Sequence, residues 1–580
     1  MKPKDKKYIL ENRNKKIKAG TQAEKTAGCP RPAVVLISIA LIIVLGFAAY
    51  ANSLNGQFIR DDNDLIRDNP YIKNGISNAL VYFTKNIAIG SGQKWNSYRP
   101  IQMITYAAEY PVWTLNVIGY HLTNILLHIL TALFVYWLIN ILYNDNLLSL
   151  IAGALFVANP LHTEAVAYIS GRADSLSAVF LLLCLIFYIK SVSLKRVIFY
   201  IPAILTYILA VFSRENSLIL PALLLLYHYT FRVKIKLKWF LPILGVTFIY
   251  IFLRATVLKF SLSNIVYTTT LLERIPGFFA AVTDYLKLLL LPLDLHTGYG
   301  VVVFSPAHPK VISGILISVF LLIYAFKKRK TRSPAFFSIC WFFISLLPQS
   351  NLYPINAYMA EHWLYLPSIG FFLLLSEGLS SLCKTEKFKI LGAAFVIILL
   401  GISLSLTIGQ NKYWKDPVSF FKRTLGYTPN DYVTYNLLGN AYEHSGNVAD
   451  AVKAYKKAIE VNPNYEIPRY NLGTIYYNSG RKDEAIGLYK KAIEIKPDYS
   501  QAYLNLGSAY YDTGKTEEAI AAYEKAAKNN PGCAEAYYNL GVAYSGIGKK
   551  KEAISAYEKT LEIDPSDADA QRNLQQLINL

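Results

Sequence analysis

The chain has 580 residues with 59 Lys and Arg against 39 Asp and Glu, and the positive excess is uneven: residues 415–580 hold 20 basic and 21 acidic side chains, the first 414 hold 39 and 18. That excess follows the ends of apolar runs, the distribution of cytoplasmic loops in a membrane protein, and excludes a nucleic-acid-binding face. Five scattered cysteines, Cys29, Cys184, Cys340, Cys383 and Cys533, exclude a disulfide framework or a cysteine metal cluster.

Residues 1–31 contain ten basic residues and three acids without an apolar period, and are expected to form a disordered, lipid-facing cytoplasmic tail. The run from Ala33 to Ala51 is long enough to span the ~30 Å hydrocarbon layer. Ala49-Tyr50-Ala51 resembles a signal cleavage site, but the basic region before the run is long for a signal, so an uncleaved anchor is the preferred reading. Further spans are expected near 118–141, 148–168, 176–190, 197–213, 217–231, 239–257, 311–326, 334–350, 366–383 and 389–408, about eleven in all. The basic loops Lys190–Arg196, Arg232–Lys238, Lys327–Arg332 and Lys384–Lys389 then share the cytoplasm. The segment 276–293 is read as an interfacial or re-entrant helix, since a full crossing would put Lys327–Lys330 outside. An odd number of crossings from a cytoplasmic start places the outer loop 52–100 and everything after residue 414 outside the cytoplasm, in the periplasm of a plasma (inner) membrane.

The outer loop opens Phe58-Ile59-Arg60-Asp61-Asp62-Asn63-Asp64. Adjacent carboxylates repel and are costly to desolvate, so one of Asp61 and Asp62 can have the raised pKa of a general base; a solvated acidic turn is the plainer alternative. Polar groups recur at the outer ends of other spans: Asn159-Pro160-Leu161-His162-Thr163-Glu164, Gly171-Arg172-Ala173-Asp174, Arg214-Glu215-Asn216 and Ala360-Glu361-His362-Trp363. Ionisable groups at the edge of lipid usually mark a site, although each alone also fits a helix-end ion pair. Carboxylates, arginines and histidines facing one compartment suit transfer from a lipid phosphate: guanidinium forks hold the phosphate and a carboxylate takes the acceptor proton. His121 and His128 are expected to pack, and their spacing alone is no metal site.

Residues 431–566 repeat every 34 positions. Leu-Gly recurs at 438–439, 472–473, 506–507 and 540–541. Tyr442, Tyr476, Tyr510 and Tyr544 follow, then Ala451, Ala485, Ala519 and Ala553, Tyr455, Tyr489, Tyr523 and Tyr557, and Pro463, Pro497, Pro531 and Pro565. This tetratricopeptide pattern predicts two antiparallel helices per repeat, with Gly and Ala where helices touch, large aromatics between repeats and Pro ending the second helix. Residues 415–430 read as a partial repeat and 567–580 as a polar-faced capping helix. Such a solenoid presents a groove for an extended or helical peptide; a stiff spacer or oligomerisation arm is the alternative.

Phe58–Asp62, Tyr98-Arg99-Pro100, Tyr120-His121-Leu122-Thr123-Asn124, Asn159–Val166, Gly171–Asp174 and Ala360–Ser368 together resemble, in order, the transmembrane and tetratricopeptide repeat-containing O-mannosyltransferases, which are C-type glycosyltransferases. The resemblance implies an all-α polytopic bundle of that type over residues 32–414 followed by an α-solenoid. It also implies a polyprenyl-phosphate sugar donor, a protein Ser/Thr acceptor bound by the repeats, and a catalytic base in the pair Asp61 and Asp62. Arg172 and Arg214 are expected at the donor phosphate, with Glu164, Asp174, Glu215, Glu361 and His362 completing the donor site. No metal ligand is assigned, and the sequence requires no cofactor. Two positions depart from the pattern: Asn159 stands where a His usually precedes the Pro, and His362 replaces an Arg and its permanent charge. The basic tail and short repeat array suit a bacterial or archaeal protein with an undecaprenyl or dolichyl donor. The committed expectation is an inverting, lipid-linked sugar transferase, needing one base because phosphate leaves without a general acid, where a glycosidase needs two carboxylates. The rivals are a non-catalytic membrane scaffold, for which eleven spans are excessive, and a transporter, which would show internal repeats or paired broken helices.

Overall fold

A computed structural model describes residues 32–91, 96–258, 270–300, 302–331, 333–352, 355 and 357–579; the expected basic tail lies outside them. Among the described residues all regular structure is helical, and the chain divides into two compact units, residues 1–416 and 417–580.

The first unit contains thirteen principal helices: α1 Pro32–Tyr50, α2 Pro100–Trp113, α3 Val117–Tyr143, α4 Asn146–Ala158, α5 Arg172–Leu194, α6 Tyr200–Ser213, α7 Leu220–Thr230, α8 Leu237–Ala255, α9 Leu271–Leu290, α10 Pro309–Lys328, α11 Pro334–Leu346, α12 Pro367–Lys384 and α13 Lys389–Asn411. α4 is the hub, packed on α1, α3, α12 and α13, and α5 lies on α3 and α6. Small residues allow these approaches. A Cβ on Gly46 of α1 would sit 2.3 Å from Ile129 of α3, and one on Gly153 of α4 would sit 2.9 Å from Ile42 of α1.

Helices occupy all eleven expected spans, but their lengths differ from the expectation. Among the described residues six, built around α1, α3, α5, α8, α10 and α13, are long and apolar enough to cross a membrane, and seven if one bent pair counts, which makes this a multi-pass membrane unit. The bent pair is the expected span 148–168: Asn146–Ala158 and Pro160–Ala167 meet at 53°. Pro160 has no N–H to continue the ladder and forces Asn159 to extended backbone, where its side chain accepts the Leu161 N–H at 3.1 Å. The expected span 217–231 is a 3-10 turn over Glu215–Ile219 followed by the 11 residues of α7, roughly half the length that ~30 Å of hydrocarbon needs. The segment expected at 276–293 is helical as far as Leu290, within the continuous helix α9, whose Glu273, Arg274, Asp284 and Lys287 keep it out of the apolar set. It lies against the start of α10 through an Asp284–Lys310 ion pair at 3.0 Å.

In the second unit, helix Pro417–Tyr427 precedes four helix pairs: Tyr432–His444 with Val448–Val461, Ile467–Asn478 with Lys482–Ile495, Ser500–Asp512 with Thr516–Asn529, and Ala534–Gly546 with Lys550–Ile563. Ala568–Asn579 follows them. Gly439, Gly473, Gly507 and Gly541 receive the rings of Tyr455, Tyr489, Tyr523 and Tyr557; an added Cβ would lie 2.4, 2.8, 2.6 and 2.6 Å from ring atoms. Those tyrosines therefore fill the gap inside each repeat, a correction to their expected place between repeats. Only a residue without a Cβ lets a ring lie flat on the facing helix. Asparagines bridge successive repeats instead: Asn471 donates to Asn436 and Asn440 at 3.1 and 3.0 Å, and Asn505 to Tyr470 at 3.3 Å.

Candidate functional site

The loop leaving α1 treats its two adjacent carboxylates differently. Asp62 is 1% exposed and turns inward. Its Oδ2 accepts the Ile59 N–H at 2.9 Å, and its Oδ1 accepts the Ser170 N–H at 2.8 Å together with the Ser170 hydroxyl. Burial pushes its pKa up to about 7; the three hydrogen bonds pull the other way without offsetting it, and Asp61 adds repulsion. Asp61 is only part-buried, and no hydrogen bond among the described residues takes up its carboxylate. It is positioned through its backbone, whose N–H donates to the Tyr168 hydroxyl at 3.2 Å, and Tyr168 stacks on Trp414 with 5.3 Å between ring centroids. Arg60, just before the pair, has φ 51, left-handed backbone unusual for a residue with a Cβ. That conformation lets Asp61 and Asp62 face different ways.

The break after α4 builds the opposite wall. Gly171 packs its backbone on this turn, where a Cβ would lie 2.3 Å from the Glu164 carbonyl, so the chain can double back and bring Ser170 to Asp62. Glu164 then faces His362: Nδ1 approaches one carboxylate oxygen at 2.8 Å, and the His362 backbone N–H donates to the other at 3.0 Å. Arg60 lies within electrostatic reach of Glu164. Asp174 pairs with Arg214, with His362, Arg99 and Glu164 acting on it at longer range. Glu215 is exposed and sits in the field of Arg99, Arg214 and Arg254. Glu164, Asp174, Arg214, Glu215 and His362 thus share one patch although they are scattered over 199 positions of sequence, and the loop of Asp61 reaches it through Arg60.

Two expected donor contacts lie elsewhere. Arg172 is 0% exposed, with Nε donating to Asn124 at 2.7 Å, Nη1 to Glu109 at 2.7 Å and Thr105 at 3.1 Å, and Nη2 to the Tyr120 carbonyl at 3.0 Å. The guanidinium also lies 4.6 Å from the centre of the Tyr106 ring. A side chain so enclosed fastens α2, α3 and α5 together and leaves no face for a phosphate. Glu361 is 1% exposed and accepts from the His296 N–H and, at 2.8 Å, the Tyr299 hydroxyl, so it holds the loop after α9. Burial of Tyr299, and after it the neighbouring Glu361 carboxylate, raises the pKa of that phenol. His121 and His128 are buried, bonded to the Gly56 carbonyl at 3.3 Å and to the Tyr365 hydroxyl at 2.8 Å. Among the described residues no three His, Cys, Asp or Glu side chains gather as a metal-binding set.

Arg60, Arg99 and Arg254 belong to the patch and were not assigned from sequence. Arg60 and Arg99 stand inside the ordered motifs Phe58–Asp62 and Tyr98-Arg99-Pro100, a signal that was present. Arg254, near the end of α8, donates to the Asn96 carbonyl at 2.9 Å and carries no local signature. The Nε groups of Arg99 and Arg214 are buried without a hydrogen-bond partner among the described residues. Buried cationic donors left unpaired are costly, and an anion between the two arginines would satisfy them.

Family models described as tetratricopeptide repeat and TPR repeat match residues 504–568, and 439–480 with 473–514. Protein O-mannosyl-transferase F38B6.6 of Caenorhabditis elegans is 27% identical over 439 residues, covering 72% of this chain and 61% of the relative. Human protein O-mannosyl-transferase TMTC3 is 27% identical over 473 residues, covering 72% and 50%. Human TMTC2 is 36% identical over 155 residues, 26% and 18%. The chain therefore spans half to three fifths of the length of the first two relatives. Among solved structures, that of MamA is 32% identical over 26% of this chain and 89% of its own, with TM-score 0.25. The chain is thus a tetratricopeptide-repeat, multi-pass relative of the proteins named TMTC protein O-mannosyl-transferases, the resemblance its ordered motifs carry.

Proposed function

We propose that the protein is an inverting membrane glycosyltransferase that moves a sugar such as mannose from a polyprenyl-phosphate donor to Ser or Thr hydroxyls of a protein acceptor. The reaction takes place on the outer face of the plasma (inner) membrane, and the repeats bind the acceptor in the same compartment. The observation that carries this reading is a part-buried carboxylate without a side-chain hydrogen bond among the described residues, Asp61, beside Arg60, which reaches Glu164 in the ion network where Arg99 and Arg214 keep unpaired guanidinium N–H groups. A base and an anion-holding fork are the two parts this transfer needs.

In the reaction the acceptor oxygen forms a bond to the anomeric carbon as the bond from that carbon to the phosphate oxygen breaks. The electron pair leaves with the polyprenyl phosphate, and the acceptor proton goes to the Asp61 carboxylate. Arg99 and Arg214 hold the departing phosphate. His362, held by Glu164, lies within electrostatic reach of Asp174, the partner of Arg214. Asp62 is a positioning residue, since its oxygens are occupied by Ile59 and Ser170.

The test is incubation of the purified protein with a panel of polyprenyl-phosphate sugars and a Ser/Thr peptide, following donor breakdown and peptide mass. Asp61→Asn should lower turnover by about two to four orders of magnitude at unchanged thermal stability. Absence of breakdown with every donor, or full activity in Asp61→Asn, overturns the reading, and the scaffold alternative then stands.

A further inference from the structure

A second cation-rich place lies at the other end of α8 and α10. A pocket of about 430 Å³ is lined by His228, Tyr229, Arg232, Lys234, Arg329 and Lys330 among others. α8 has 19 residues, so at 1.5 Å rise per residue roughly 28 Å separates this pocket from Arg254 and the candidate site. Two segments form it. Residues 228–238 join α7 to α8 and carry Arg232, Lys234, Lys236 and Lys238; residues 324–331 end α10 and carry Lys327, Lys328, Arg329 and Lys330; neither contains Asp or Glu.

The fold holds these segments together. Arg232 has φ 53, and its Nη2 donates to the Lys330 carbonyl at 3.4 Å. Arg329 lies 3.4 Å from the centre of the Phe326 ring and donates to the Phe326 carbonyl at 2.6 Å, which fixes the direction of its fork. His228 closes the floor, its ring nitrogens on the Val233 carbonyl and the Tyr188 hydroxyl, each at 2.9 Å. Like charges gathered on two tethered segments repel one another, and an anion among them relieves that repulsion.

The flank of the pocket decides between a soluble anion and an amphipathic one. Leu225, Tyr229 and Phe326 are 45, 57 and 59% exposed, and the exposed Leu237, Leu241, Phe320 and Ile323 continue that apolar surface along α8 and α10, both long enough to cross a membrane. Cations gathered at the ends of two exposed apolar helices match a phosphate headgroup with attached acyl chains. We propose that this pocket binds an anionic phospholipid, its phosphate among Arg232, Lys234, Arg329 and Lys330 and its chains along α8 and α10. The proposal is independent of the transfer reaction.

The full-length protein in neutral detergent is titrated with short-chain phosphatidylglycerol, short-chain phosphatidylcholine and inorganic phosphate, with affinity read from intrinsic fluorescence or retained lipid by native mass spectrometry. Phosphatidylglycerol should bind at least about tenfold tighter than either of the others, and Arg232→Gln/Arg329→Gln/Lys330→Gln should remove that preference. The control Lys195→Gln/Arg196→Gln/Lys387→Gln neutralises exposed charge in other basic loops and should keep it. If the triple variant is misfolded by size exclusion, Lys330→Gln alone, which retains the carbonyl that Arg232 uses, should weaken binding and Lys330→Arg should not. Equal loss in the control means diffuse charge, equal binding of inorganic phosphate means a soluble anion, and full binding in the pocket variants means another site; each overturns the proposal.

Discussion

Asp61 and Asp62 are neighbours with opposite fates, and the contrast shows how much a side chain's chemistry depends on what packs around it. Burial lifts Asp62 from its ordinary 3.8 to about 7. Between those values the folded loop keeps a proton that the unfolded loop has released. Local stability should therefore be greatest near pH 4 and decline as pH rises through 7, the full span being at most about 4 kcal/mol. Hydrogen exchange over residues 57–71, corrected for intrinsic rate, should show protection falling from pH 5 to pH 8, and Asp62→Asn should flatten the profile. A slope that survives Asp62→Asn would assign it to another group. The two arginines first expected at the phosphate also part company. Arg172→Ala leaves Glu109 without its partner in a largely enclosed site, and breaking such a pair costs about 3–5 kcal/mol. That variant should lose folded protein on size exclusion. Arg214→Ala also strips a buried carboxylate, Asp174, of its partner, so its folded fraction is isolated by size exclusion first; that fraction should bind donor more weakly by up to ~3 kcal/mol, the value of a charge-assisted bond. Binding of a polyprenyl-phosphate sugar at parental strength in Arg214→Ala would move the phosphate elsewhere.

At the level of elements, glycine has two meanings that the sequence pattern does not separate. Gly507 receives the Tyr523 ring, and a Cβ there would lie 2.6 Å from two ring atoms in a tightly packed cluster. Gly487 lies exposed within helix Lys482–Ile495 with nothing within 4 Å of an added Cβ. Gly507→Ala should lower the stability of residues 417–580 by about 1–3 kcal/mol through overpacking. Gly487→Ala should raise it by about 0.5–1 kcal/mol, because a mid-helix glycine carries an entropic cost. Urea unfolding followed by circular dichroism checks both, and equal signs would disprove the assigned packing. The break at Asn159-Pro160 is the membrane counterpart. A hydropathy window reads through it, yet a missing N–H ends the helix there and turns the next ten residues into the wall that carries Glu164 and Ser170.

For the whole molecule, the division between units sets the most direct test of function. Trp414 stacks on Tyr168, and the Lys415 carbonyl accepts from the Gln57 N–H at 2.8 Å, so the first unit extends through Asp416, past the boundary at 414 expected from the repeats. Cutting after Asp416 should leave donor breakdown and transfer to excess short peptide largely intact. Transfer to a full-length acceptor should fall, because the repeats no longer raise its local concentration. The ratio of short-peptide to full-length transfer in the intact and truncated chains is the quantity to measure. An unchanged ratio would make the repeats a spacer.

Sequence alone determined the repeats, the apolar segments and the motif order, because 34-residue periodicity, hydropathy and charge at span ends are local properties that a linear reading detects. Arg60 and Arg99 were visible in the same motifs without an evident task. Tertiary structure decided which ionisable groups could act. Arg172 and Arg214 carry the same charge at similar helix ends, but Glu109, Asn124 and Tyr120 enclose the first, while the second keeps a buried N–H unpaired beside Arg99. Asp61 and Asp62 differ for the same reason: the hydrogen bonds from Ser170 come from 108 positions away. Solvation, partner choice and pKa are set by groups distant in sequence, so no local pattern encodes them.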